Sequence, residues 1–154
     1  MSNLKFDGAK HEIALIGEDG REIGRWVAYN NVDSHASLRF IPNGTYAMKD
    51  TVHSHPHRPD PNGPYGSYGI LRFDVPHHVG IGVHSGRALS KYLPGPLHPT
   101  MGCIRTTDQA MRAITLHIVN DPLRTIEVKS NADYSAKKAS AMFSKSVFMG
   151  LAWA

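Results

Sequence analysis

The chain has 154 residues, 41% of them hydrophobic and 19% charged, with a single cysteine and a formal net charge of +4 at neutral pH. That length buries a core without staples, and a lone cysteine excludes an internal disulfide framework. The mild positive balance includes no Lys/Arg run of five or more; it supports nucleic-acid binding only weakly and is equally compatible with attraction to an acidic polymer.

The opening MSNLKFDGAK holds no apolar run of signal-peptide length, so no secretory leader is expected. No segment reaches the roughly 18 apolar residues of a membrane span, and no stable membrane insertion is expected. HEIALIGEDGREIGRWVAY carries apolar runs at 13–16 and 23–29 on either side of Glu18-Asp19-Gly20. An Asp-Gly turn between such runs predicts a β-hairpin. GTYAMKDTV, beginning at Gly44, predicts another strand. HSHPHRPDPNGPYG, 53–66, is broken by prolines and glycines and reads as a loop. YGILRFDV, 68–75, and HVGIGVHSG, 78–86, predict two further strands. In the second, glycine at alternate positions implies close approach of a backbone or a ligand.

The period then changes. In RTTDQAMRAITLHIVND, Thr106 as N-cap with Gln109 three residues on forms a capping box. Met111, Ile114 and Ile118 follow at helical spacing, and Asn120-Asp121-Pro122 should stop the helix. RTIEVKS predicts the last strand. SAKKASAMFSKSVFMGLAWA has apolar positions near helical spacing and reads as an amphipathic helix or a tail. The expected organisation is a mainly β domain, sandwich- or barrel-like, over 1–130, with one helix after the cysteine and a C-terminal helix or tail over 131–154.

Cys103 lies in HPTMGCIRTTDQAM, three residues before the expected N-cap. A thiol near the positive end of a helix has a lowered pKa, and the thiolate is the nucleophile. A cysteine nucleophile needs an imidazole partner. His84 is the best placed of the ten histidines, because it ends a strand and is followed by Ser85-Gly86. The loop SGRALSKYLPGPLHPTMG between them can fold back and bring the two side chains together. The competing reading is a buried core thiol, common for free cysteine.

These residues resemble the L,D-transpeptidase catalytic-domain (YkuD-like) family. Its pattern is a histidine at a strand end, then a Ser/Thr-x-Gly-Cys-hydrophobic-Arg motif, then a helix. Thr100, Gly102, Cys103, Ile104 and Arg105 fill the motif in order, and IPNGTYAM matches a Pro-x-Gly strand entry through Pro42, Gly44 and Tyr46. The resemblance implies a sandwich-like β fold and a cysteine-dependent L,D-transpeptidase or L,D-carboxypeptidase acting on peptidoglycan stem peptides through an acyl-enzyme, without a cofactor. It implies that Cys103 attacks and His84 moves the proton. The backbone carbonyl of Ser85 would orient His84, and the backbone N–H groups of Gly102 and Cys103 would hold the oxyanion. Arg105 and Thr100 would meet substrate, Arg105 through a carboxylate, while Tyr65 or Tyr68 walls the cleft. One departure stands out: Met101 occupies the place of a second family histidine, two residues before the cysteine.

The small size and the lack of a leader resemble the branch of type VI secretion effectors that target peptidoglycan. Such a protein is made in the cytoplasm, acts in the periplasm of a target cell, and has an immunity protein as partner. The alternative is a catalytically inactive peptidoglycan-binding module on the same scaffold. A papain-like order is disfavoured, because His84 precedes Cys103 and His117 lies within the helix. His53, His55 and His57 alternate and would share one side if extended. With prolines among them and no Cys, Asp or Glu at zinc spacing, they line a cleft rim or face solvent, and no metal site is expected.

Overall fold

A computed structural model describes residues 1–131. The C-terminal segment expected as a helix or tail lies outside the described residues apart from Asn131, which is buried against the body. The elements are β1 (Ser2–Asp7), β2 (Glu12–Ile16), β3 (Glu22–Tyr29), β4 (Gly44–Ala47), β5 (Leu71–Arg72), β6 (Gly82–His84), β7 (Ile104–Thr106), α1 (Asp108–Ile118) and β8 (Leu123–Lys129). The strands form one mainly antiparallel eight-stranded sheet, in the order β4-β8-β1-β2-β3-β7-β6-β5.

β1 was not expected from the sequence, yet it lies inside the sheet, antiparallel to β2 and parallel to β8. Leu4 and Phe6 alternate with Asn3 and Lys5 and are fully buried. The run is too short and too mixed with charge to stand out beside longer apolar stretches. The β2–β3 hairpin forms about the anticipated Asp-Gly turn. The long strand expected over 68–75 shortens to Leu71–Arg72, flanked by single bridges Ile70–His55 and Met48–Phe73.

Leu4, Phe6, Ile13, Leu15, Ile126 and Val128 line the core with Met111, Ile114 and Ile118 of α1. Each such side chain contributes about 1.5–3 kcal/mol when fully buried. The helix starts one residue later than the sequence implied. Thr107 is the N-cap and its side chain accepts from Ala110 N–H. Thr106 ends β7 and donates instead to the Val27 carbonyl. Two adjacent threonines offer the same cap chemistry, and pairing of β3 with β7 decides between them. Gln109 is exposed and the anticipated capping box does not form.

Candidate active site

β6 and β7 run parallel, with Val83 opposite Ile104 and His84 opposite Arg105. Val83 and Ile104 face the core. Side chains alternate across a strand, so His84 and Arg105 face the other way, and so does Cys103, two residues before Arg105. Cys103 and His84 are thus diagonal neighbours on one face, about 8 Å apart at Cα by strand spacing and rise. The position opposite Cys103 belongs to Gly82. A Cβ there would lie 2.5 Å from the Leu71 carbonyl oxygen. That is the close backbone approach expected of the glycine alternation, and it leaves no side chain between sulfur and imidazole.

The Ser85 carbonyl accepts a hydrogen bond from His84 Nδ1 at 2.8 Å. A carbonyl can only accept, so Nδ1 carries the proton and Nε2 holds the free lone pair. Burial pushes the His84 pKa down to about 4 against the pull of the Ser85 carbonyl, and the charge of Arg105 lowers it further. The imidazole is therefore neutral at pH 7.

Cys103 is 9% exposed, and its thiol donates to the Gly80 carbonyl at 3.5 Å. Burial raises its pKa, opposed by the Gly82 amide and by the charge of Arg105. The expectation of a thiolate at a helix N-terminus is corrected here: β7 intervenes, and the sulfur sits at a strand entrance. At rest the pair is a neutral thiol and a neutral imidazole.

Arg105 is 3% exposed. Its guanidinium donates to four main-chain carbonyls: Ser85 (3.4 Å), His98 (2.7 Å), Pro99 (3.2 Å) and Pro64 (3.0 Å). In place of the expected substrate carboxylate it gathers three loops, including the carbonyl that orients His84. Thr100 is also turned inward. Its hydroxyl donates to the Cys103 carbonyl at 2.7 Å and accepts the Gly102 N–H at 3.2 Å. The Gly102 amide is thus occupied by Thr100 instead of facing a cleft. Gly102 itself has φ of +132°, a conformation that favours glycine, and an added Cβ would lie 2.9 Å from Ile81.

Of the two tyrosines, Tyr65 reaches the site. Its ring centroid lies 4.9 Å from that of His84, and His57 stacks on its other side at 3.8 Å. Tyr68 packs against the core. His55 and His57 meet edge to face at 5.6 Å, so part of the alternating histidine set belongs to the rim above His84. No metal-binding cluster exists among the described residues.

Two residues that build the site gave little sign of it in the sequence. Buried Asn30 donates to the Gly102 and Cys103 carbonyls at 2.9 and 3.1 Å and accepts from Ile41 N–H and Asn131 Nδ2. Asp108 accepts the hydroxyls of Ser85 and Ser67, tying the turn after His84 to the end of the 53–66 loop. Nothing local marks Asn30, and Asp108 reads as an ordinary acidic residue in a first helical turn.

No family model and no curated protein sequence matches the chain. Solved structures do. An L,D-transpeptidase from Stackebrandtia nassauensis superposes with a TM-score of 0.56 at 15% identity, over 86% of this chain and 57% of that one. Bd1075 from Bdellovibrio bacteriovorus gives 0.58 at 14% identity, over 94% and 56%. L,D-transpeptidase 1 from Mycobacterium tuberculosis gives 0.53 at 14% identity, over 82% and 60%. The chain has the L,D-transpeptidase fold. It spans less than two thirds of the length of these structures.

Proposed function

We propose that this protein is a cysteine-dependent L,D-transpeptidase or L,D-carboxypeptidase acting on peptidoglycan stem peptides. The observation that carries the reading is the placement of Cys103 and His84 on one face of two paired strands, with His84 Nδ1 committed to Ser85 and Nε2 left as acceptor. The thiol rotates from the Gly80 carbonyl toward His84 as substrate enters. Sγ then attacks the carbonyl carbon joining the L-centre of the third stem residue to D-alanine, and its proton passes to Nε2. His84 is neutral and so free to accept the proton, while burial weakens it as a base and disfavours a resting ion pair, so the proton moves only as Sγ attacks. The Cys103 amide holds the oxyanion; the Gly102 amide joins it when freed from Thr100. Collapse expels D-alanine, whose amine takes the proton from His84, and leaves a thioester. Water or an acceptor amine attacks the thioester, again giving its proton to His84, which returns it to the departing sulfur.

Wild type and Cys103→Ala incubated with purified tetrapeptide muropeptides test this. The wild type releases D-alanine or forms cross-linked product, and the variant loses about 10³-fold or more of the rate. Identical product profiles overturn the proposal. One observation favours the inactive binding module instead: the resting thiol is neutral, nearly buried and bonded to Gly80. Binding to sacculi without turnover, and no acylation of Cys103 by a carbapenem, would select that module.

The cellular role we propose is an antibacterial effector acting in a target periplasm, with an immunity protein that covers the cleft. The support is the sequence resemblance alone. Expression directed to the periplasm of a naive host should stop growth, and cytoplasmic expression should not. Equal growth in both removes the effector role.

A further inference from the structure

The Gly102–Cys103 peptide carries the amide that would hold the oxyanion, and a buried side chain fixes that peptide from behind. Asn30 follows β3 and is 7% exposed. Its Nδ2 donates to the Gly102 carbonyl at 2.9 Å and to the Cys103 carbonyl at 3.1 Å. Its Oδ1 accepts from Ile41 N–H at 2.8 Å and from Asn131 Nδ2 at 3.0 Å. A primary amide offers two N–H donors and two lone pairs, so all four are engaged. Turned over, the amide would set its oxygen against two carbonyl oxygens and its NH2 against two donors, so its orientation is fixed. Asn131 is fully buried, and its Nδ2 also donates to the Ile41 carbonyl at 2.8 Å. A Cβ on Gly8 would lie 2.5 Å from Asn131 Oδ1, so the backbone closes tightly on this side chain. The Cys103 carbonyl has a second donor in Thr100, whereas the Gly102 carbonyl is held by Asn30.

A trans peptide directs its C=O and N–H to opposite sides, and the described chain has no cis bond. Asn30 therefore lies on the carbonyl side of the Gly102–Cys103 peptide, and the Cys103 N–H points away from it. A carbonyl that accepts a hydrogen bond polarises its peptide, and the N–H across from it becomes a stronger donor. We infer that Asn30 is a positioning residue for the oxyanion donor: it aims and polarises the Cys103 N–H through the Gly102 carbonyl, and Asn131 keeps the Asn30 amide in that orientation. This inference deepens the proposed function and rests on it. Asn30 is buried behind the nucleophile turn and would meet no substrate. Its effect is felt where negative charge develops on the attacked carbonyl oxygen. A dipole fixed in advance costs no reorganisation when that charge appears.

Two reactions of Cys103 separate this role from a merely structural one. With a p-nitrophenyl ester of the stem tripeptide, Sγ adds to the carbonyl carbon, an oxyanion forms, and p-nitrophenolate leaves as the thioester closes. With iodoacetamide, Sγ displaces iodide from a saturated carbon, and no oxyanion forms. The thiol gives up its proton in both. Asn30→Ala should slow acylation by about 10–100-fold, less than loss of the donor itself, with KM unchanged, and should leave alkylation within about threefold. Equal losses in the two reactions, or no loss in acylation, overturn the inference. A wild-type measurement covers a variant that does not fold. A tripeptide aldehyde adds to Sγ as a hemithioacetal whose oxygen lies where the oxyanion forms. The NMR signals of the Cys103 N–H and of the Asn30 Nδ2 protons should then both move downfield, because each hydrogen bond strengthens the other. A Cys103 signal that stays in place, or one that moves while Asn30 does not, sinks the assignment. Failure of the ester to acylate Cys103 in the wild type, while iodoacetamide still labels it, sinks the enzyme reading itself.

Discussion

The two ends of the sheet are held together by different forces. From β4 to β3 the strands are mostly long, and β1, β2 and β8 bury alternating or continuous apolar side chains. From β7 to β5 they shrink to two or three residues, and the chain around them is fixed by side chains donating to main-chain carbonyls. Arg105 and Asn30 alone make six such bonds. The first region gains stability from water leaving apolar surface, which is undirected. The second gains position, because a hydrogen bond fixes distance and angle while its net contribution stays near 1 kcal/mol. A site that must hold an imidazole tautomer and a thiol on one face uses the second kind.

Substitutions should separate the two. Phe6→Ala removes a fully buried ring from the first region and should cost about 3–5 kcal/mol in denaturant unfolding. Hydrogen exchange around Cys103 should then rise only as much as global stability falls. Arg105→Met should cost less, about 2–4 kcal/mol, since three of the four carbonyls it strands are only partly buried. Exchange at 63–66 and 98–100 should rise beyond the global change. If Arg105→Met acts only globally, the distinction between the regions fails.

A pH series sharpens it further. The folded His84 pKa of about 4 lies below its ordinary 6.5, mainly because of burial. Between those values the unfolded chain binds the proton more readily, so the native state is favoured above pH 6.5 and loses that advantage as pH falls toward 4. The loss should amount to roughly 2–3 kcal/mol. Unfolding of wild type and His84→Gln at pH 7 and 4.5 gives the comparison: the variant should lack that part of the acid sensitivity. Equal acid sensitivity would mean that the imidazole is solvated in the native protein.

How much of this was legible depends on whether the cause is local. The hairpin, the apolar face of α1, β8 and the His84-Ser85 turn are written in nearby residues, and each lies where expected. The Thr-x-Gly-Cys-Ile-Arg run was also visible, through its resemblance to a family motif, and the positive φ of Gly102 gives its glycine a physical reason. What could not be read was the far end of each hydrogen bond. Arg105 in a Gly-Cys-Ile-Arg run looks like a ligand for an anion, and only the folded chain brings Pro64, Ser85 and His98 to it. Thr100 is similar: its partners are two and three residues away, yet the inward turn depends on Asn31 and Val32 pairing with it from another segment. β1 was hidden for a related reason, since its apolar pair counts for little until β2 and β8 flank it.

Asp108 offers the smallest effect and the finest discrimination. Burial raises its pKa, but the hydrogen bonds from Ser67 and Ser85 outweigh this and hold the carboxyl below its ordinary value. Asp108→Asn keeps the shape and the helix start while replacing a charged acceptor by a neutral one, so unfolding should change by only about 1 kcal/mol. The Ser85 hydroxyl would then hold its turn more weakly, and the Ser85 carbonyl with it. Because that carbonyl selects the His84 tautomer, the NMR signals of the imidazole should report exchange between Nδ1–H and Nε2–H forms in the variant and one form in the wild type. Asp108→Glu, which keeps the charge but displaces it, should lie between the two. An unchanged tautomer in Asp108→Asn would show that Arg105 and the strand pairing suffice to hold the turn, and would place Asp108 with the loop at 53–66 alone.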